Sequence, residues 1–345
     1  MTSDREGKRI LIARLSAIGD TIHALPLAAA VKRLFPDCRL GWVVEKPSAP
    51  VVVGNPLVDW HHALPRGWLK SWTEVKKLRR ALVRERFDIA FDVQGLAKSA
   101  IVARLSGAPV RIGFEKGESR ELAHFLDNRL VRPQGVHAVD KVLSLLAGMD
   151  ARAPGEAGFI FPPCPPGEKS AIEAHITTHQ LDGGFILMGP WGSFAAKRWP
   201  LDRFGELAAI LRAKTGWPAL VLGHGPQERG AVAELVAARP PGDLCPAPEV
   251  SIPGVAELAR RARLFVGCDS FPMHAAAGVG CRTLGLFAVT DPRRLGPYGP
   301  RGAAVYERLA IPRSTRERRR LDQSGMLALT VEKVADAVLE LFERP

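Results

Sequence analysis

Residues Gly189-Pro190-Trp191-Gly192-Ser193-Phe194-Ala195-Ala196-Lys197-Arg198-Trp199-Pro200 put a hydroxyl and a cation into a glycine-containing loop. The loop follows the apolar run Phe185-Ile186-Leu187-Met188. It precedes Leu201, Phe204, Leu207, Ala208 and Leu211 at helical spacing, with Pro200 where a first-turn proline is tolerated. A strand that runs through such a loop into a helix offers backbone N–H groups and the positive end of a helix dipole to whatever lies above the sheet. With Gly192, Ser193 and Lys197 in the loop, the chemistry is phosphate or diphosphate binding. The competing reading is an ordinary strand–loop–helix connection that carries a surface lysine.

A second constellation lies near the N-terminus. The run Arg9–Leu15 has the length and apolarity of a buried parallel strand, and Ser16-Ala17-Ile18-Gly19-Asp20 follows before Ile22, Leu25, Ala29 and Leu34 recur at helical spacing. Asp20 is therefore an acid at the carboxyl end of the first strand, the edge where open α/β sheets bind ligands. Gln94, Gly95, Lys98 and Ser99 follow another strand, Phe87–Val93, and reach the same kind of edge. His23, about one turn into its helix, reads as a packing or capping residue. His175 and His179 are spaced like metal ligands on one helix face, but no third ligand accompanies them. They read as surface residues, and no metal is expected.

The elements that would position these groups alternate in βα fashion along the chain. Strand-like runs occur at 9–15, 39–44, 87–93, 111–114, 185–188, 218–222, 264–267 and 283–287. Helical patterns occupy 68–86, 137–148, 168–181, 201–214, 273–278 and 331–341, and another helix is expected to begin at Arg120. Pro154, Pro162, Pro163, Pro165 and Pro166 cluster in 151–167, which reads as an interdomain linker. The expected organisation is a domain over 1–160, a second over 161–329, and a C-terminal helix over 330–345 that packs back towards the first. The charged segment Arg313–Arg320 reads as exposed and flexible.

The chain's 345 residues exceed one ordinary core, and an apolar content of 46% suffices for two. No apolar run approaches the ~18 residues of a spanning helix, and the N-terminus is polar, so a cytoplasmic location is expected. The five cysteines form neither a C-x-x-C pair nor a zinc pattern, and read as reduced and structural. A net charge of +12 asks for an anionic partner. Between residues 66 and 86 eight cations, Arg66 and Lys70 among them, face only Glu74 and Glu85, while Trp68, Leu69, Trp72, Val75, Leu78 and Leu82 recur at helical spacing. This basic amphipathic stretch fits an anionic membrane surface or substrate; the alternative is a solvated helix face. No nucleic-acid module accompanies it, and no nucleic-acid partner is expected.

Several segments together resemble glycosyltransferase family 9, the bacterial ADP-heptose:lipopolysaccharide heptosyltransferases. They are Gly19-Asp20-x-x-His23-x-Leu25-Pro26, Ala196-Lys197-Arg198-Trp199-Pro200, Asp269-Ser270-x-x-Met273-His274-x-Ala276-Ala277, and Thr290-Asp291-Pro292. Val43-Val44-Glu45 and Phe87–Ser99 resemble the type I enzymes, which add the first heptose to the inner 3-deoxy-octulosonic acid. The resemblance runs in order from Ile10 to about Pro292. It implies an α/β fold of GT-B type, two facing doubly wound Rossmann-like domains with the active site in the crevice between them. The first domain would bind the acceptor and the second the nucleotide sugar.

By that resemblance Asp20 is the general base and Lys197 neutralises the donor diphosphate. Gly192, Ser193, Asp269, Ser270 and His274 surround the donor, and Glu228 lies near a position that contacts its nucleoside. Gly19, Arg66, Lys70, Gln94, Lys98 and Arg120 fall on the acceptor side, which would meet an anionic glycolipid at the cytoplasmic face of the inner membrane. The ADP-sugar is a co-substrate, and no cofactor is implied. The chain departs from the family at Phe271-Pro272, where glycine is usual after the Asp-Ser pair, and at Trp191, where a small residue is common. Two alternatives accompany this reading: a family member with another donor or acceptor, protein included, and an inactive nucleotide-binding scaffold at a membrane.

Overall fold

A computed structural model of the chain describes residues 7–153, 155–156, 158–307 and 315–343. The chain divides into two compact units, Met1–Pro163 and Cys164–Pro345, close to the boundary expected from the proline cluster.

In the first unit six parallel strands form one sheet: β1 (Arg9–Ala13), β2 (Arg39–Glu45), β3 (Trp60–Leu64), β4 (Ile89–Asp92), β5 (Val110–Phe114) and β6 (Arg129–Val131). Their order is β3-β2-β1-β4-β5-β6. The second unit repeats the plan with β7 (Ile186–Gly189), β8 (Ala219–Val221), β9 (Leu244–Pro246), β10 (Leu264–Cys268), β11 (Thr283–Phe287) and β12 (Gly302–Tyr306), in the order β12-β11-β10-β7-β8-β9. Both are doubly wound Rossmann orders, which reverse direction at one point: between β1 and β4, and between β7 and β10. The central strands are near-continuous apolar runs because helices cover both of their faces. Register sets the end of β1 beside the end of β4 through Ala13 and Asp92, and the end of β7 beside β10 through Gly189 and Gly267.

Several local expectations are revised. The stretch 68–86 is not one helix: Trp68–Lys70 is a 3₁₀ turn, and Ser71 then caps the helix Trp72–Glu85 by accepting from the Glu74 amide. Trp68 is buried while Trp72 is 72% exposed, so the two tryptophans play opposite parts. No helix begins at Arg120; the segment instead makes the short 3₁₀ turn Ala123–Phe125. The C-terminal helix Val331–Glu343 was expected to pack back towards the first domain. Its apolar residues Val334, Val338 and Leu341 instead join the core of the second unit, and Phe342 packs edge-on to Trp217. In the charged segment, Arg313 and Ser314 lie outside the described residues, and Thr315–Arg318 is a short helix. All five cysteines are free thiols.

Candidate active site

The first unit gathers its polar groups at the β1/β4 reversal. Three contacts tie the two loops: Arg14 Nη1 donates to the Val93 carbonyl at 3.0 Å, the Leu15 amide to Gln94 Oε1 at 3.2 Å, and Lys98 Nζ to Ser16 Oγ at 2.9 Å. Lys98 also meets Glu45, at the end of β2, at 2.9 Å. Asp20 lies in the short helix Ile18–Ile22, beside Gly19. Its Oδ2 accepts from Arg14 Nη2 at 3.0 Å and from the Ala17 amide at 3.3 Å, yet the side chain stays 41% exposed. The Asp20 carboxylate is thus both oriented and open to solvent.

Beneath this edge Asp92 is fully buried, and its Oδ1 accepts from the Gln94 and Gly95 amides at 3.1 and 3.0 Å. The turn needs Gly95, whose φ is +63°. Burial raises the Asp92 carboxyl to about 6, against the Ser99, Gly95 and Gln94 hydrogen bonds that lower it. Asp127 sits over Gly113 of the neighbouring strand β5, so close that a Cβ there would meet its Oδ2 at 2.0 Å. Burial, reinforced by the charge of Asp92, pushes its carboxyl up to about 8, with Arg111 opposing.

Not all the expected acceptor residues join this cluster. Gly19, Gln94 and Lys98 do. Arg120 is joined through its backbone, the amide donating to the Gly95 carbonyl at 2.8 Å, while its side chain is exposed. Arg66 and Lys70 are exposed beyond the end of β3, two strands away from β1. His23 is buried and packs edge-on to His137, as its packing reading expects.

The second unit places the Gly189–Pro200 loop at the β7/β10 reversal. Lys197 Nζ meets Asp269 Oδ2 at 2.5 Å, and Thr290 Oγ1 donates to the same oxygen at 2.6 Å. His274 Nε2 lies 3.7 Å from Asp269 Oδ1. Asp269 is 4% exposed. Burial would raise its carboxyl, but the His274 hydrogen bond and the Lys197 ammonium outweigh it and hold the group well below the usual carboxylate range. The loop closes tightly because position 192 is glycine: a Cβ there would meet the Lys197 Cβ at 2.7 Å. Cys268 Sγ fastens the loop to β10 by donating to the Pro190 carbonyl at 3.2 Å and accepting from the Trp199 amide at 3.3 Å. Burial pushes that thiol up to about 12, so it keeps its proton.

Ser193 is exposed at the loop tip, and Ser270 precedes the helix Phe271–Gly278. Glu228 stands apart from the Lys197 network; it accepts from the His224 amide at 3.0 Å in the loop after β8. Of the departures, Pro272 and Trp191 acquire structural roles. Pro272 sits in the first turn of its helix, where the missing N–H costs nothing. Trp191 donates from Nε1 to the Leu222 carbonyl at 2.7 Å, tying the loops after β7 and β8, and stacks under Arg198, whose guanidinium carbon is 5.9 Å from the ring centroid. Arg14, Ser16, Glu45, Asp92 and Asp127 in the first unit, and Cys268 and Thr290 in the second, are site residues that were not singled out from the sequence. Their charge and burial become meaningful only once strands distant in sequence are neighbours. The segments Val43-Val44-Glu45, Phe87–Ser99 and Thr290-Asp291-Pro292 were the signals that pointed towards Glu45, Asp92 and Thr290.

Among the described residues no group of three or more His, Cys, Asp or Glu side chains is placed to hold a metal ion. The His175 and His179 rings lie against each other, tilted by 42° with centroids 4.2 Å apart. No helix among the described residues is long and apolar enough to cross a membrane.

The family model for glycosyltransferase family 9 (heptosyltransferase) matches residues 75–323, well over half of the chain. The chain belongs to that family. This family 9 protein is a glycosyltransferase. It is 28% identical to lipopolysaccharide heptosyltransferase 1 of Pseudomonas aeruginosa, over 84% of this chain and 81% of the relative. It is 27% identical to lipopolysaccharide heptosyltransferase 1 of Escherichia coli K12, over 84% and 91%. Its fold is that of the E. coli heptosyltransferase WaaC solved with ADP, with a TM-score of 0.77 over 96% of this chain and 99% of the other at 24% identity. A family 9 glycosyl transferase from Veillonella parvula superposes with a TM-score of 0.83 at 18% identity, covering 99% and 98%. The two doubly wound units are thus of GT-B type.

Proposed function

We propose that this glycosyltransferase moves heptose from ADP-heptose to the 3-deoxy-octulosonic acid of a lipopolysaccharide inner-core acceptor, with inversion and without a metal. The observation that carries the reading is a pair of charged constellations at the two sheet reversals of a heptosyltransferase-family chain: an oriented, accessible carboxylate in one and a buried cation network in the other. In the displacement, the Asp20 carboxylate takes the proton of the acceptor hydroxyl as its oxygen bonds to the anomeric carbon. ADP departs with the electrons of the sugar–phosphate bond, and Lys197 neutralises the diphosphate. Gly192, Ser193, Ser270 and His274 complete the donor side, with Glu228 towards the nucleoside. Gly19, Gln94, Lys98, Arg66, Lys70 and Arg120 serve the acidic acceptor. The relatives named lipopolysaccharide heptosyltransferase 1 support the sugar and acceptor, and the WaaC structure with ADP supports the nucleotide.

The working location is the cytoplasmic face of the inner membrane, reached peripherally through the basic helix. Lys76, Arg79 and Arg80 lie on its exposed side with Trp72, and Lys76 Nζ stands 5.9 Å from the Trp72 ring centroid. The decisive experiment follows heptose transfer by mass spectrometry from ADP-heptose to lipid A that carries its acidic sugars but no heptose. Wild-type protein is expected to transfer, and Asp20→Ala to lose about 10²- to 10⁴-fold in rate while still binding ADP. Near-normal turnover by the variant would remove Asp20 from its role, and thermal stabilisation by UDP but not ADP would remove the ADP-sugar donor.

A further inference from the structure

Two carboxyls of the first unit are buried side by side, and the proposed transfer uses neither of them. Asp92 ends β4, and Gly113 lies one step past the Phe91–Ile112 pair that joins β4 to β5. Positions 92 and 113 therefore share a face of the sheet at one strand spacing, about 4.8 Å. The side-chain space at position 113 is taken by Asp127: a Cβ built on Gly113 would lie 2.0 Å from Asp127 Oδ2 and 2.6 Å from its carboxyl carbon. The Asp127 carboxyl thus stands next to that of Asp92. Asp92 is fully buried and Asp127 is 7% exposed. Among the described residues, Asp92 Oδ2 and both Asp127 oxygens have no hydrogen-bond partner.

Two like charges this close in an apolar interior do not both ionise, and one proton between them removes the conflict. The surroundings decide which residue carries it. Against the burial that raises its carboxyl, Asp92 has the Ser99 hydrogen bond, the Gly95 and Gln94 amides and the Arg14 charge, all of which favour the anion. Asp127 has no such donor. Burial and the Asp92 charge raise its carboxyl to about 8, and Arg111 opposes them by charge alone, its Nε and Nη1 being spent on the Leu126 and Ala108 carbonyls. The remaining charged neighbours are engaged elsewhere. In the helix Ala97–Leu105, Lys98 is held by Ser16 and Glu45 and Arg104 is exposed, while His124 in the turn before Asp127 lies against Ser119. Asp127 is thus the acid of the pair and Asp92 the anion.

We propose that Asp127 is a positioning residue of the carboxyl edge: it donates its proton in a hydrogen bond to Asp92 Oδ2 and so keeps Asp92 a single buried anion that holds the Gln94–Gly95 turn and Arg14. The inference rests on the roles proposed above for Asp20, Gln94 and Lys98, because these two supports carry all three groups. The turn bears Gln94, whose Oε1 accepts from the Leu15 amide, and leads into the helix that carries Lys98. Arg14 meets Asp20 Oδ2 at 3.0 Å. When Asp127 ionises, Asp92 loses its donor, and two adjacent anions strain the turn and draw Arg14 away from Asp20.

The test compares the full-length wild type with Asp127→Asn, whose amide donates to Asp92 at every pH, and with Asp127→Leu, which cannot donate. The wild-type kcat for transfer is expected to fall as the pH rises through about 8 while the KM for the donor stays constant, and Asp127→Asn should show no such fall. At about pH 7 Asp127→Leu should lose about ten- to a hundredfold in kcat, a loss that asparagine at the same position restores. Hydrogen exchange of the Gln94 and Gly95 amides, corrected for the pH dependence of an unstructured peptide, should lose protection above about pH 8 in wild type and keep it in Asp127→Asn. Coincident pH profiles of kcat for wild type and Asp127→Asn overturn the proposal, as does amide exchange that fails to distinguish them. If Asp127→Leu does not fold, the asparagine comparison decides alone. If neither protein transfers the sugar, it is the proposed reaction that falls, and the amide exchange still decides whether Asp127 holds the turn.

Discussion

Asp269→Ala is the substitution that most directly probes the Lys197 network. The carboxylate is buried and receives Lys197 at 2.5 Å, Thr290 at 2.6 Å and His274 at 3.7 Å. Removing it leaves a largely buried ammonium without its counter-charge, an effect of about 3–5 kcal/mol, and the lost Thr290 hydrogen bond adds about 1 kcal/mol. Lys197→Met is milder, about 2 kcal/mol, because Asp269 keeps Thr290 and His274. The double variant removes both charges together and should cost clearly less than the two single costs combined, with a coupling energy of at least ~1.5 kcal/mol. Native-state hydrogen exchange of the β7 and β10 amides reads this locally in the second unit. The contribution also has a pH signature. Because the Asp269 carboxyl is held below its unfolded value of 3.8, its stabilisation is complete above about pH 4 and fades as the pH falls below that. A coupling energy under ~0.5 kcal/mol, or single-variant costs that simply add, would refute the account of Lys197 and Asp269 as an interdependent pair.

Further outcomes follow from the same geometry. Asp127 carries a raised carboxyl pKa, so between its unfolded value of 3.8 and about 8 the native state binds more protons than the unfolded chain, and stability falls as pH rises through that window. Asp127→Asn should flatten this decline and be the more stable protein by a few kcal/mol near pH 9, which urea denaturation at about pH 5 and about pH 9 would check. Lys98→Met leaves Glu45 without its cation and should cost about 1–3 kcal/mol, partly restored by Glu45→Gln in the same chain; equal melting of the single and double variants would contradict it. Trp191→Phe loses the hydrogen bond to the Leu222 carbonyl and should destabilise by about 1 kcal/mol, measured by thermal melting, and an unchanged melting temperature would deny Trp191 its tethering role.

The strands that could be read from the amino acids and those that could not divide along a physical line. The eight runs recognised correspond to β1, β2, β4 and β5 of one sheet and β7, β8, β10 and β11 of the other. The four missed, β3, β6, β9 and β12, are the four sheet edges. An interior parallel strand is covered on both faces and paired on both sides, so it must be an unbroken apolar run. An edge strand has one open side, and segments such as Trp60-His61-His62-Ala63-Leu64 need no such run. Helix limits failed for a related reason: Ser71 as a cap and the turn at Ala123–Phe125 depend on local hydrogen bonds that periodicity does not register.

The site divides in the same way. Asp20, Lys197, Asp269 and His274 stand in motifs whose order survives in a linear chain, so the proposed chemistry, a base and a diphosphate-binding cation on Rossmann-like sheets, could be formulated from the sequence. That Lys197 pairs with Asp269, 72 positions away, and Lys98 with Glu45, 53 away, is a consequence of strand order. So is the burial of Asp92 and Asp127, carboxyls that look like any surface acid in the sequence until β4 and β5 lie side by side. Residue type and local spacing say what a group can do chemically. Solvation and charge pairing set how it ionises and what it holds, and these exist only after distant strands have been brought together.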